Sequence, residues 1–217
     1  GLMYLIGFAL AMWLANRQAE KPNSGWTKEQ VSDLLFYGML GVILGGRIGY
    51  VLFYQFSYFV ENPLYLFRID QGGMSFHGAL IGIVLATIIF CRKKNQNIYY
   101  YLDLVALSSP VGIFLGRIAN FINSELYGRE TDIIWSVKFI QIDNLNRHPS
   151  QIYEAIFEGI ILFIILNLFY RKISKKDGLI SSLFIIFYSL FRFCIEFTRE
   201  PDAHIGLVIF SLSIGQL

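Results

Sequence analysis

Charged side chains are scarce in this 217-residue chain: Asp, Glu, Lys and Arg together make up 16%, against about 25% in ordinary soluble domains. That shortage excludes a surface built mainly for water. With 55% hydrophobic and 17% aromatic residues, the composition is that of an integral membrane protein. Net charge is only +2, so the basic face that a nucleic-acid partner requires is absent. Cys91 and Cys194 are the two cysteines, in separate apolar segments without CxxC or Cys/His ligand spacing. A disulfide framework and a zinc site are thereby excluded, and both residues read as packing. Also missing are HExxH, a Walker loop and a carboxylate cluster suited to Mg²⁺, so no metal and no other cofactor is expected. Ser75 lies two residues from His77 but outside any GxSxG elbow, which makes an intramembrane serine hydrolase a weak reading. No internal repeat is evident, which counts against transporters built from two related halves.

What the chain does have is apolar runs. Seven reach or approach spanning length, which is about 17 to 25 residues: 1–16, 31–56, 74–91, 101–122, 151–170, 178–197 and 204–217. The first, "GLMYLIGFALAMWLA", lacks the charged n-region and cleavage site of a secretory signal and reads as a spanning helix. Because the chain starts and stops inside apolar runs, both ends read as trimmed. Lys and Arg crowd the loops after the first, third and fifth segments (Arg17, Lys21 and Lys28; Arg92, Lys93 and Lys94; Arg171, Lys172, Lys175 and Lys176), which places those loops in the cytoplasm. The expected fold is therefore an all-α integral membrane domain of seven transmembrane helices over 1–217, N-terminus out and C-terminus in. Residues 123–150 form its longest polar insertion, with alternating "WSVKFIQI" predicting a short strand, so a small extracytoplasmic α/β cap is expected between helices four and five. Gly41, Gly45 and Gly49, then Gly78 and Gly82, then Gly112 and Gly116, recur every fourth residue, the spacing that lets membrane helices approach closely.

An ionisable residue at a helix centre costs about 2.5–3.5 kcal/mol on insertion scales, so each one is a candidate for function and needs a partner. Segment two carries Arg47, segment three opens with His77, and segment four holds Asp103 and Arg117. On segment six, Tyr188, Arg192, Glu196 and Arg199 fall within about 80° of arc at 3.6 residues per turn and form one polar stripe. Gln151, Glu154 and Glu158 share a face of segment five, and Arg117 and Asn120, one turn apart, point together. The bland alternative is internal ion pairing, Glu196 with Arg199 and Glu154 or Glu158 with Arg47. Against it, Arg117, Arg192, Arg47 and Arg199 outnumber what simple pairing near one leaflet needs. Guanidinium forks converging on a cavity suit a phospholipid head group. His77 follows the Gly72–Gly73 turn at the outer end of a helix, where an imidazole can act as general base. His148 and His204 lie in loops and receive no role.

With "GLMYLIGFALAMWLA", "GGMSFHGALIG", "GRIANFINSELYGR", "HPSQIYEA", "YSLFRFCIEFTREPD" and "SIGQL" in that order, the chain resembles the prolipoprotein diacylglyceryl transferases of bacterial inner membranes over essentially its whole length. The resemblance implies a multi-pass enzyme of the cytoplasmic membrane with its active site toward the extracytoplasmic side. It would move the diacylglyceryl group of phosphatidylglycerol onto the lipobox cysteine of a preprolipoprotein, releasing glycerol phosphate and leaving a thioether. Its partners would be phosphatidylglycerol, the preprolipoprotein signal peptide and the bilayer. Carried over by motif, the essential histidine falls on His77 and the key arginines on Arg117 and Arg192. Asn120, Glu125 and Gly128 belong to the signature, and Asp103, Tyr188, Glu196 and Arg199 match other family positions. Two departures stand out: Ala119 where glycine is common, and a family tyrosine that would precede Gly1.

Breaking a glyceryl carbon to phosphate oxygen bond puts charge on the leaving phosphate, which Arg117 and Arg192 would stabilise with Asn120 in support. A thiol near pKa 8.5 needs deprotonation, with His77 the candidate base and Glu125 a possible substitute. Phosphatidylglycerol binding would then draw on Arg117, Asn120, Glu125, Gly128, Tyr188, Arg192, Glu196 and Arg199. Arg47, Asp103 and Glu154 are expected to be structural or gating. The alternative from another class is a transporter or flippase for an anionic lipid, in which the same arginines bind and no bond breaks; a hydrolase is the third.

Overall fold

The structure is a computed structural model that describes residues 2–20, 27–68, 72–172 and 177–200. In chain order it contains α1 (Leu2–Ala19), α2 (Lys28–Tyr54), α3 (Phe56–Glu61), a 3₁₀ turn at Pro63–Phe67, α4 (Phe76–Lys93) and α5 (Ile98–Ile122). Then come β1 (Val137–Lys138) and β2 (Asn146–Arg147), α6 (Ser150–Glu154), a π-helical stretch at Ala155–Ile161, α7 (Leu162–Lys172) and α8 (Leu179–Glu196). Among the described residues, the helical stretches Lys28–Tyr54, Ile98–Ile122, Ser150–Arg171 and Leu179–Glu196 are long and apolar enough to cross a membrane. The protein is an integral membrane protein. The seventh apolar segment and His204 lie outside the described residues. The described residues fall into two compact units, those within 1–15 and 102–217, and those within 16–101.

In the 16–101 unit, α2 starts at a capping box: Thr27 Oγ1 accepts from Gln30 N–H and Gln30 Oε1 from Thr27 N–H, satisfying two donors the helix leaves open. The glycine spacing explains how α2 meets α4. A Cβ at Gly41 would stand 2.8 Å from that of Ala86, one at Gly45 2.7 Å from Gly82 Cα, and one at Gly49 2.7 Å from Gly78 Cα. Backbone therefore packs on backbone along this seam, as small residues permit. Gly45→Val should wedge the two helices apart and lower stability by about 1–3 kcal/mol, the usual cost of overpacking. Denaturant titration in mixed micelles checks this, and unchanged stability would show that the seam is not tight. Gly112 and Gly116 differ from that seam, because among the described residues a Cβ at either would meet nothing within 4 Å, although a Cβ at Gly7 of α1 would stand 3.6 Å from Gly112 Cα.

The other unit is organised around α5 to α8. Asp103 on α5 is buried, and its carboxylate accepts from the N–H groups of Gly178 (2.9 Å) and Ser181 (2.8 Å). It thus caps the start of α8, where backbone donors lack helical partners. Gly159 in the π-helical stretch lets that stretch press on α5, since a Cβ there would come 2.7 Å from Phe114 Cβ. The predicted strand over "WSVKFIQI" is only two residues long, paired Val137 to Arg147 and Lys138 to Asn146. Phe139 is buried against Phe121 and Tyr127, and its carbonyl takes the N–H of both Ile142 and Asp143. That turn ends the ladder.

Candidate active site

Two of the predicted arginines meet on one carboxylate. Arg117 on α5 places Nε 3.2 Å from Glu154 Oε2 and Nη2 3.3 Å from Glu158 Oε2. Arg192 on α8 pairs its Nη1 with Glu154 Oε1 and lies 4.0 Å from Glu158 Oε1, while its Nη2 is 2.6 Å from Glu196. Arg199 Nη1 lies 3.7 Å from Glu154 Oε1. Glu154 and Glu158 are fully buried at 0% exposure, a position a carboxylate holds only when paired. Glu154 closes α6 and Glu158 falls inside the π-helical stretch, a local widening found often at functional sites.

Three expectations need correction here. First, the arginines do not outnumber their partners: among the described residues of this network, three guanidinium groups face three carboxylates. Second, Glu154 and Glu158 pair with Arg117 and Arg192, whereas Arg47 donates to the carbonyls of Tyr65 (2.5 Å), Leu66 (3.1 Å) and Gly72 (2.6 Å). Its guanidinium also lies 4.7 Å from the Tyr65 ring centroid. Buried Arg47 thereby ties the 3₁₀ turn and the Gly72–Gly73 turn to α2, and the positive φ of both glycines (74° and 84°) forms that turn. Third, α8 ends at Glu196, so Arg199 is not on its helical face. Glu196 pairs with Arg192 one turn back, and Arg199 instead forms an antiparallel bridge with Gly128.

That bridge explains Gly128: a Cβ there would come 2.5 Å from His148 Cβ and 2.7 Å from Thr198 O, so only glycine fits between these two segments. Upstream, α5 unwinds at Asn123, and Ser124 (φ 58°) and Leu126 (φ 53°) adopt left-handed backbone. Glu125 sits between them, its carboxylate accepting from Asn120 Nδ2 (3.0 Å) and Asn123 Nδ2 (3.4 Å), and its N–H donates to the Asn120 carbonyl (2.8 Å). Asn120 is thus engaged by Glu125. This local knot turns the chain from helix into the connection. Tyr188 stacks on Phe184 with ring centroids 5.6 Å apart. His77 belongs to the other unit, exposed on the first turn of α4 just after its N-cap Ser75.

Several residues that hold the site went unassigned in the sequence. Buried Gln151 donates from Nε2 to the Glu125 carbonyl (2.6 Å), and Ser150 Oγ to that of Leu126 (3.1 Å). Arg147 gathers Asp143 (2.7 Å), Glu200 (3.3 Å) and the Gly128 carbonyl (3.1 Å). Its hydrogen bond holds the Asp143 carboxyl below the usual carboxylate range, so this link persists at neutral pH and is lost as pH falls through that lowered value. His148 Nδ1 lies 3.3 Å from the Tyr153 hydroxyl, which accepts from Trp135 Nε1 (2.8 Å), and burial pushes the imidazole pKa down. The usable signal was "HPSQIYEA", polar residues opening an apolar helix.

A sequence profile of the family described as Prolipoprotein diacylglyceryl transferase matches residues 1–217. A relative from Pseudoalteromonas translucida, named phosphatidylglycerol–prolipoprotein diacylglyceryl transferase, is 61% identical over all of this chain and 81% of its own length. Relatives of the same name from Aeromonas hydrophila and Aliivibrio salmonicida are 56% and 54% identical, again over the whole chain and over 79% and 76% of theirs. On a match that runs from the first residue to the last, the chain belongs to the prolipoprotein diacylglyceryl transferase family.

Proposed function

We propose that the chain transfers the diacylglyceryl group of phosphatidylglycerol to the lipobox cysteine thiol of a preprolipoprotein, forming a thioether and releasing glycerol phosphate. The observation that carries this is the meeting of Arg117 and Arg192, from two different helices, on Glu154. Both guanidinium groups then come within reach of one phosphate. Arg117 engages Glu154 and Glu158 through Nε and Nη2, and among the described residues its Nη1 makes no ion pair, which supports a donor kept for the head group. As the glyceryl carbon leaves for sulfur, the growing phosphate charge is met by fixed donors in a site of low dielectric.

His77 is the proposed thiol base, with Glu125 as the substitute. Asn120, Glu125, Gly128, Tyr188, Glu196 and Arg199 shape the head-group site, the first three through the turn that Asn120 and Glu125 knot. Glu154, Asp103 and Arg47 are structural: one holds the arginines, one caps α8, one ties a turn. In this reading the chain sits in the bacterial cytoplasmic membrane with seven spans, N-terminus out and C-terminus in. Residues 123–150 form an extracytoplasmic cap beside the site.

Purified protein incubated with phosphatidylglycerol and a lipobox peptide tests this. The peptide should gain the mass of one diacylglyceryl unit as an equal amount of glycerol phosphate appears. Diacylglycerol or fatty acid released without peptide would mean a hydrolase. Lipid crossing a vesicle with no bond broken would mean a transporter.

A further inference from the structure

Among the described residues the three arginines of this network already face three carboxylates, so an anionic head group cannot simply add to it. Arg117, Arg192 and Arg199 face Glu154, Glu158 and Glu196 at the distances given above, and Glu154 and Glu158 are wholly buried. A phosphodiester monoanion placed against Arg117 and Arg192 would bring a fourth negative charge within a few ångströms of those carboxylates. Like charges that close in a buried site do not all stay ionised; one takes up a proton. We infer that phosphatidylglycerol binding is coupled to uptake of one proton from solvent by Glu158, which converts a closed, balanced network into one with a net positive charge for the phosphate. This deepens the proposed function and rests on it.

Glu158 is singled out by geometry. Glu154 touches all three arginines, through Arg117 Nε, Arg192 Nη1 and Arg199 Nη1, and its loss as an anion would disturb every one. Glu196 is held at 2.6 Å by Arg192 on its own helix. Glu158 has Arg117 at 3.3 Å and Arg192 only at 4.0 Å, so it gives up its charge with the least rearrangement. Among the described residues, the charged and titratable groups facing it are Arg117 from α5, Glu154 from α6, and Arg192 and Tyr188 from α8, with Glu196 and Arg199 reached through them. Tyr188 offers a hydroxyl and no charge at neutral pH. A neutral Glu158 also releases Arg117 Nη2, so the guanidinium can turn two parallel N–H groups toward a phosphate.

Calorimetric titration of the full chain with short-chain phosphatidylglycerol, without acceptor peptide, tests the coupling. Run at one pH in two buffers of different ionisation enthalpy, the heats should differ by the equivalent of about one proton taken up per lipid bound. Affinity should weaken by up to about tenfold per pH unit on the alkaline side, as linkage requires. Glu158→Gln should bind without proton uptake and, above neutral pH, at least about tenfold more tightly than the parent. Identical heats in the two buffers with clear lipid binding would overturn the coupling and leave the proposed function standing. Equal affinity for a short-chain diacylglycerol lacking the phosphate would overturn the head-group reading, and the coupling with it. If Glu158→Gln does not fold, the two-buffer comparison on the unaltered chain decides alone.

Discussion

Arg117→Lys should lose diacylglyceryl transfer by about 100-fold or more, the usual result of removing one preorganised donor from a site of developing negative charge. Charge is conserved in this substitution, so a rate loss isolates geometry. Arg117 spans two carboxylates, Nε on Glu154 and Nη2 on Glu158, and still has a third nitrogen to offer. A lysine ammonium is a single point that can sit against one of these groups at a time. Transfer rates measured at saturating peptide, with the variant's fold checked by its unfolding transition, decide the matter. A lysine variant that transfers at the parent's rate would show that charge alone suffices.

Glu154→Ala should be the most damaging substitution for stability. Its carboxylate contacts Arg117, Arg192 and Arg199 from inside the protein. Removing one partner of a buried ion pair leaves the other charge uncompensated, at a cost of about 3–5 kcal/mol, and here three partners lose one anion. Glu61→Ala, which removes an exposed acid at the end of α3, serves as the comparison and should stay within about 0.5 kcal/mol of the parent. Unfolding by denaturant in mixed micelles reads both. Equal stabilities would mean that the arginines find other partners when Glu154 is gone.

The helices themselves were legible because long apolar runs admit little else in a membrane, where every backbone donor must be satisfied within its own segment. Boundaries in the sequence fell within a few residues of α2, α5 and α8. The glycine seam between α2 and α4 was legible for a similar reason, since spacing of four lines up one face. Gly112 and Gly116 have the same spacing, yet among the described residues a Cβ at either meets nothing within 4 Å, because spacing marks a face and not what lies across it. The strand at 135–142 was overread, since alternation cannot reveal that the buried Phe139 turns the chain. Pairing partners were the least legible feature. Glu154 lies 37 residues from Arg117 and 38 from Arg192 in the sequence, and nothing local distinguishes either from Arg47, which among the described residues donates to backbone carbonyls. The stripe arithmetic assumed that α8 continues to Arg199; the helix stops at Glu196, and Arg199 reaches Glu154 from a bridge to Gly128 that no periodicity encodes.

Whether Arg117 and Arg192 serve the lipid's phosphate, beyond holding Glu154 in place, can be read from equilibrium binding. Short-chain phosphatidylglycerol and the matching diacylglycerol, which lacks the phosphate, are titrated against the parent, Arg117→Lys and Arg192→Lys. Both variants should bind phosphatidylglycerol at least about tenfold more weakly and diacylglycerol as the parent does. Unchanged phosphatidylglycerol affinity in both would contradict the assignment of these guanidinium groups to the head group.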